Sequence, residues 1–226
     1  MKSFIKSIGS LAVFSLLLTA CQKDNPAPTP TITGLSFFQA SKDLDQINLT
    51  SGTQKINTTV FKYLDFLGYR NFSAGKHEIT ITKQGSATTI AKVSVELKAR
   101  VAYSAFVMGT TSAPAVLLVE DNLTPVTTKA KVRFVHLKAD AKEIDVFINA
   151  DKTALFAKAP YKSVQAFKEI DAANELKITL KETGKTEIMA EFTKIKVEKG
   201  KIYTFVFSDP KTGDTSKMAL TTVTNR

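Results

Sequence analysis

The side chains able to do covalent, metal or acid–base chemistry are few: one cysteine, Cys21, and two histidines, His77 and His136, in 226 residues. His136 comes nearest to a constellation, with Asp140 and Asp145 following it in sequence. Such groups can gather at one end of a β-sandwich and bind a ligand, or let the imidazole act as a base. The same groups can instead hydrogen-bond the backbone of a tight loop, with Asp140 as a turn former. His77 has no partner at metal-ligand spacing, and a zinc site needs three or four convergent donors, so no metal or other cofactor is expected. No serine lies in a nucleophile elbow, no glycine-rich phosphate loop is present, and Asp43-Leu44-Asp45 lacks the further ligands of a calcium loop. The chain reads as a non-enzyme with no catalytic residue. A hydrolase using His136 with Asp140 or Asp145 is the alternative.

Cys21 has a different context. Lys2 and Lys6 precede an apolar run over 8–18 that is too short to span a bilayer comfortably, which is the pattern of an export signal. The run ends in Leu18-Thr19-Ala20-Cys21, which resembles the bacterial lipobox, where a small residue precedes the cut and the cysteine thiol receives diacylglyceryl. That resemblance implies a signal peptide over 1–20, cleavage between Ala20 and Cys21, and a palmitate-type anchor on Cys21. At about 0.8 kcal/mol per buried methylene, two or three acyl chains hold a protein on a membrane for practical purposes permanently. Cys21 is then a tether to the membrane rather than a nucleophile.

The residues after it suggest which membrane. Gln22-Lys23-Asp24-Asn25 lacks the aspartate directly after the cysteine that retains many enteric lipoproteins in the inner membrane, so outer-membrane placement is expected. The same residues are similar to the short surface-export signals of Bacteroidetes lipoproteins, which implies the cell surface rather than the periplasmic face. Prolines 26, 28 and 30 alternate with small or polar residues, so 21–33 reads as an extended stalk.

The formal charge of +10 falls to +8 when Lys2 and Lys6 leave with the signal. Its lysines are spread along strand-like segments such as 177–181 and 194–199, which fits solvated strand faces and not a nucleic-acid surface. With the one cysteine assigned to lipid, no disulfide can form within the mature chain, and buried apolar area must supply the stability.

The elements that must position these groups are strands. Glu78-Ile79-Thr80-Ile81-Thr82 and Val93-Ser94-Val95-Glu96-Leu97 alternate apolar and polar residues, as half-buried strands do. The chain also repeats itself. Segment 35–39 lies over 132–136, 47–49 over 144–146, approximately 77–81 over 175–179, and 101–107 over 201–207. Apolar periodicity stops over 122–130. An all-β chain of two tandem β-sandwich domains, 34–121 and 131–226, is therefore expected after the signal and the stalk. A single large barrel built from both halves is the rival architecture. Tyr63, Phe66, Tyr69 and Phe72, with Tyr161 and Phe167 in the second half, either pack in cores or form a binding platform.

The second half opens Val132-Arg133-Phe134-Val135-His136, continues to Asp140, and enters Ile144-Asp145-Val146-Phe147. This resembles the opening of the bacterial domain of unknown function 4397, often duplicated in envelope lipoproteins. Arg133, Phe134, His136, Asp140 and Asp145 agree with the family pattern, while Lys138, Ala139 and Lys142 replace its serine and prolines. The resemblance is good over 132–226 and weak over 35–120, where Gln39 and Asn48 stand at the histidine and aspartate positions. It implies an extracytoplasmic, immunoglobulin-like fold with no established reaction. The expected role is a lipid-anchored, non-enzymatic binding or adhesion module for a glycan or protein ligand, with a structural subunit of an envelope complex as the alternative.

Overall fold

The computed structural model describes residues 31–211, 216 and 218–226. Ala20, Cys21, the export run and the stalk through Pro30 lie outside the described residues. Among the described residues there is no helix, and the strands form two β-sandwiches rather than one barrel.

The first sandwich is built from β1 (Ile32–Gln39), β2 (Gln46–Ser51), β3 (Gln54–Lys55), β4 (Phe61–Lys62), β5 (Phe66–Ser73), β6 (Gly75–Lys83), β7 (Thr89–Leu97), β8 (Ala102–Gly109) and β9 (Pro114–Asp121). Sheet A has the order β5-β1-β8-β9, with β1 and β8 parallel. Sheet B has the order β3-β2-β6-β7, and β4 also pairs with β2. Alternation sends Ile47 and Leu49 of β2 and Ile79 and Ile81 of β6 inward against Leu35, Phe37, Tyr103 and Ala105 of sheet A. Each large apolar side chain so buried contributes about 1.5–3 kcal/mol.

The second sandwich repeats the plan with β10 (Ala130–His136), β11 (Ile144–Ile148), β12 (Phe156–Ala159), β13 (Ser163–Val164), β14 (Lys168–Ile170), β15 (Ala173–Glu182), β16 (Ala190–Val197), β17 (Ile202–Ser208) and β18 (Ala219–Thr224). Sheet C runs β13-β10-β17-β18 with β14 also on β10, and sheet D runs β12-β11-β15-β16. β10 and β17 are parallel, as β1 and β8 are.

The repeat extends to single backbone angles. Leu64 and Lys162 both adopt positive φ, 66° and 64°. Their N–H groups donate to the carbonyls of Gln39 and His136, each at 2.8 Å. Tyr103 accepts the Lys98 N–H and Tyr203 the Glu198 N–H, both at 3.1 Å, a corner bond also used in immunoglobulin-type sandwiches. One sequence alignment is corrected. Leu49 pairs with Ile81 and Val146 with Leu180, so Ile79 matches Ile178 and Ile81 matches Leu180. Laying 77–81 over 175–179 is one residue out of register, and one residue is what turns a strand's apolar face outward.

The two sandwiches meet face to face. Phe38, Phe106 and Met108 on the outer side of sheet A pack against Val135, Leu137, Val206 and Val223 of the second half. Beneath the chain crossing, the buried Lys131 ammonium donates to the carbonyls of Asn122 at 2.9 Å and Thr124 at 2.8 Å, which pins the linker. A layered stack of sheets B, A, C and D results.

Candidate functional site

His136 ends β10 with its imidazole fully buried between Tyr161 and Phe207, whose ring centroids lie 6.1 and 5.4 Å away. Its Nε2 donates to the Lys142 carbonyl at 3.0 Å, and its Nδ1 accepts the Lys138 N–H at 3.3 Å. Those two bonds fix a neutral tautomer and clamp both ends of the loop between β10 and β11. Burial is the main cause holding its pKa below 6.5, helped by the nearby Lys138 charge and opposed by the bond to Lys142.

The two aspartates do not join it. Asp140 is exposed and pairs with the Lys138 ammonium at 2.6 Å. Asp145 accepts the Lys158 N–H at 2.7 Å and the Thr183 hydroxyl at 3.1 Å, holding Lys158 at a positive φ of 53° where β11 and β12 lose register. No hydrogen bond links His136 to either carboxylate, so the acid–base pair that a hydrolase would need is not assembled. Lys138 also reaches Asp209 at 2.7 Å, and Asp209 offers its carbonyl to the Tyr63 hydroxyl of the first half at 2.7 Å. Burial works against the Lys138 charge, but the two carboxylates outweigh it and raise its pKa.

The equivalent of His136 shows what the position is for. Gln39, also fully buried, accepts the Ser41 N–H on Oε1 at 2.7 Å, the same two-residue reach that His136 makes to Lys138. A role in loop fixing is thus common to both halves, while the second bond is not: the Gln39 Nε2 has no partner among the described residues. His77, the other histidine, sits at the sheet B side with Nε2 2.9 Å from the Ser73 carbonyl and Nδ1 3.2 Å from the Ser51 hydroxyl. Among the described residues no group of three His, Cys, Asp or Glu is placed to hold a metal ion.

The densest polar constellation is one that sequence reasoning missed. Arg133 of β10 is 1% exposed, and its guanidinium donates from Nη1 to Asp121 at 2.5 Å, from Nη2 to Ser104 at 2.8 Å and from Nε to Thr204 at 2.9 Å. Thr204 in turn donates to Asn225 at 2.6 Å, Asn225 to Tyr69 at 3.1 Å, and Tyr69 to Asp121 at 2.6 Å, which closes a ring. Phe167 lies 4.6 Å from the guanidinium as a cation–π partner. Burial, then the Asp121 carboxylate, push the Tyr69 hydroxyl up to about 12.

The ring is pseudo-symmetric. Ser36 pairs across strands with Ser104 where Arg133 pairs with Thr204. Tyr69 and Phe167 hold matching places before Arg70 and Lys168, which face Leu35 and Val132. Asp121 ends β9 as Asn225 follows β18. One signal for it was in the sequence: Arg133 stands between Val132 and Phe134-Val135, and a charge at a buried strand position demands a partner. The aromatic residues that could have made a platform are likewise committed. Phe72 is in the first core, Phe66 and Tyr161 pack at the junction, Tyr63 bonds Asp209, and Tyr69 and Phe167 belong to the ring.

A search of curated proteins finds no match. Among solved structures, a chain described as "Alpha-glucan binding by a streptococcal virulence factor" aligns at 12% identity and TM-score 0.28, covering 77% of this chain and 93% of that one, a likeness that bears on neither ligand nor activity. The family model that matches spans residues 33–147, so it takes in the first sandwich, the Arg133–Asp121 pair and the strands carrying His136 and Asp145. It thus includes the half that the sequence reading took as the weaker match. With just over half of its length matched, the chain belongs to the family described as Domain of unknown function (DUF4397).

Proposed function

We propose that this is a non-enzymatic binding or adhesion module of a bacterial outer membrane, cut after Ala20, tethered by lipid on Cys21 and displayed at the cell surface on its proline-rich stalk. One observation supports the non-enzymatic reading above the others. The groups best suited to chemistry, His136, Asp145, Arg133 and Asp121, are spent on fixing loops or joining the two sandwiches. What a rigid pair of sandwiches offers a partner is its loop ends and its outward sheet faces.

The test separates tether from fold. Cys21→Ser should leave the precursor's folding unchanged and move the protein from the membrane pellet to the soluble fraction, and mass spectrometry of the wild-type amino terminus should find acyl chains on Cys21. Protease treatment of intact cells should then remove the wild-type protein. Retention of the serine variant in the membrane pellet would overturn the tether, and full protection from protease would overturn surface display.

An accessory role in an envelope complex has an observation of its own. β9 is the edge of sheet A, half-buried along Pro114–Val119 with no charged residue there, and such an edge suits added strands from a partner. A stoichiometric partner that co-purifies in mild detergent and is lost on Leu117→Lys would favour that role over adhesion.

A further inference from the structure

We infer that the first sandwich binds an extended glycan in a polar groove on the outer face of sheet B, an inference that rests on the binding reading above and gives it a place and a ligand class. The floor is Asn48 and Thr50 of β2 with Thr82 of β6. Asn48 and Thr82 are cross-strand partners, and because Ile47 and Leu49 point into the core, Asn48 and Thr50 point out. The rim forms because the chain leaves β3 at Lys55 and pairs with the edge of β2 again only at Phe61, and between them Thr58 and Thr59 stand exposed while Asn57 stays buried against β2. Paired strands make the floor rigid, and a preorganised floor is what a hydrogen-bonding site needs.

Size and continuity indicate a polymer. The concavity is about 600 Å³, within the range of ligand sites. Gln84 lines both it and a second concavity of about 420 Å³, and Asp45 lines both the second and a third of about 200 Å³. The three hollows follow one another around the end of the first sandwich, the third reaching Lys211 of the second half, and such a run fits successive units of a chain better than one compact metabolite.

The chemistry of the lining selects the class. The side chains of Thr50, Thr58, Thr82, Gln84 and Lys55 make no hydrogen bond or ion pair among the described residues. Hydroxyls and amides that both donate and accept match the vicinal hydroxyls of sugars. The ammonium of Lys55 adds a site for the carboxylate of an acidic sugar. An extended peptide is the poorer fit, because strand addition needs free backbone along β2 and this edge has none. The Asn57 side chain accepts the Leu49 N–H at 2.6 Å and donates to the Ile47 carbonyl at 3.3 Å, and the Ile56 N–H takes the Leu49 carbonyl at 2.9 Å.

The test is titration of the full chain, kept soluble by Cys21→Ser, with four probes: maltohexaose, xylohexaose, mannohexaose and a hexagalacturonate, read by amide shifts and calorimetry. At least one sugar should give saturable shifts confined to 48–60 and 82–84. Replacing Thr50 and Thr82 together by valine should weaken that sugar roughly tenfold or more with the melting temperature kept. Lys55→Gln should weaken only the uronate. If a sugar binds equally well to the double valine variant, the groove is wrong while the binding reading survives. If none of the four saturates, or if shifts at 48–60 come only from hexapeptides, the glycan inference is overturned. Failure of the binding module itself reads out separately, as unchanged adhesion of cells that lack the protein.

Discussion

The imidazole of His136 is an acceptor toward the Lys138 N–H and a donor toward the Lys142 carbonyl, so a second proton would set two donors against each other at Nδ1. Its pKa lies below 6.5, chiefly through burial. The unfolded chain therefore binds more protons than the folded one as pH falls below 6.5, and stability must drop through that window until the depressed folded value is reached. Gln39 already performs the shared half of this task with an amide that does not titrate. His136→Gln should thus cost only about 1 kcal/mol at neutral pH and should flatten the acid-side slope of stability, measured by urea denaturation from pH 7.5 downward. An unchanged slope would show that another group carries it. That His136 and Asp140 stand close in sequence was legible. That the histidine turns inward follows from its alternation with Val132 and Phe134, whereas that Lys138 takes Asp140 was not legible, because the path of the loop decides which side chains meet there.

At the level of the strands, two backbone positions carry opposite expectations. Gly109 turns β8 into β9 at φ +88°, and a Cβ there would stand 2.2 Å from the Ala113 carbonyl oxygen. Lys162 holds the same left-handed region without being glycine, its side chain exposed. Gly109→Ala should destabilise by more than about 2 kcal/mol, whereas Lys162→Gly should stabilise by about 0.5–1 kcal/mol, since left-handed backbone costs a residue with a Cβ about that much or more. Thermal melts of the two variants check both signs. The strands themselves follow from alternation and from the internal repeat, which is why 35–39 and 132–136 were found in correct register. The slip over 175–179 does not arise within the strand. Leu176, Ile178 and Leu180 of β15 alternate in the phase that matches Ile178 to Ile79, and the slip came instead from the stretches between paired strands, which differ in length between the two halves.

For the molecule as a whole, the ring around Arg133 decides how the halves behave. It is a buried ion pair, flanked by the apolar junction of Phe38, Phe106, Val135 and Val206, with members from both sandwiches. Removing one partner of such a pair strands a charge and typically costs about 3–5 kcal/mol. The wild-type chain should melt as one cooperative unit, with calorimetric and van't Hoff enthalpies equal. Arg133→Met should lower stability by about that amount and split the transition in two, and adding Asp121→Asn should restore much of the loss by removing the stranded charge. A single transition that persists in Arg133→Met would place the coupling in the apolar contacts alone. The sequence by itself determined the strand pattern, the duplication and the scarcity of catalytic side chains, because alternation and self-similarity are local properties of a chain. Tertiary structure alone decided that the outer faces of two sheets meet, that Arg133 finds Asp121 across that junction, and that the groove floor on sheet B keeps its hydroxyls unspent. Those outcomes depend on which surfaces remain after each core is full, and residues brought together across a junction leave no periodic mark in sequence.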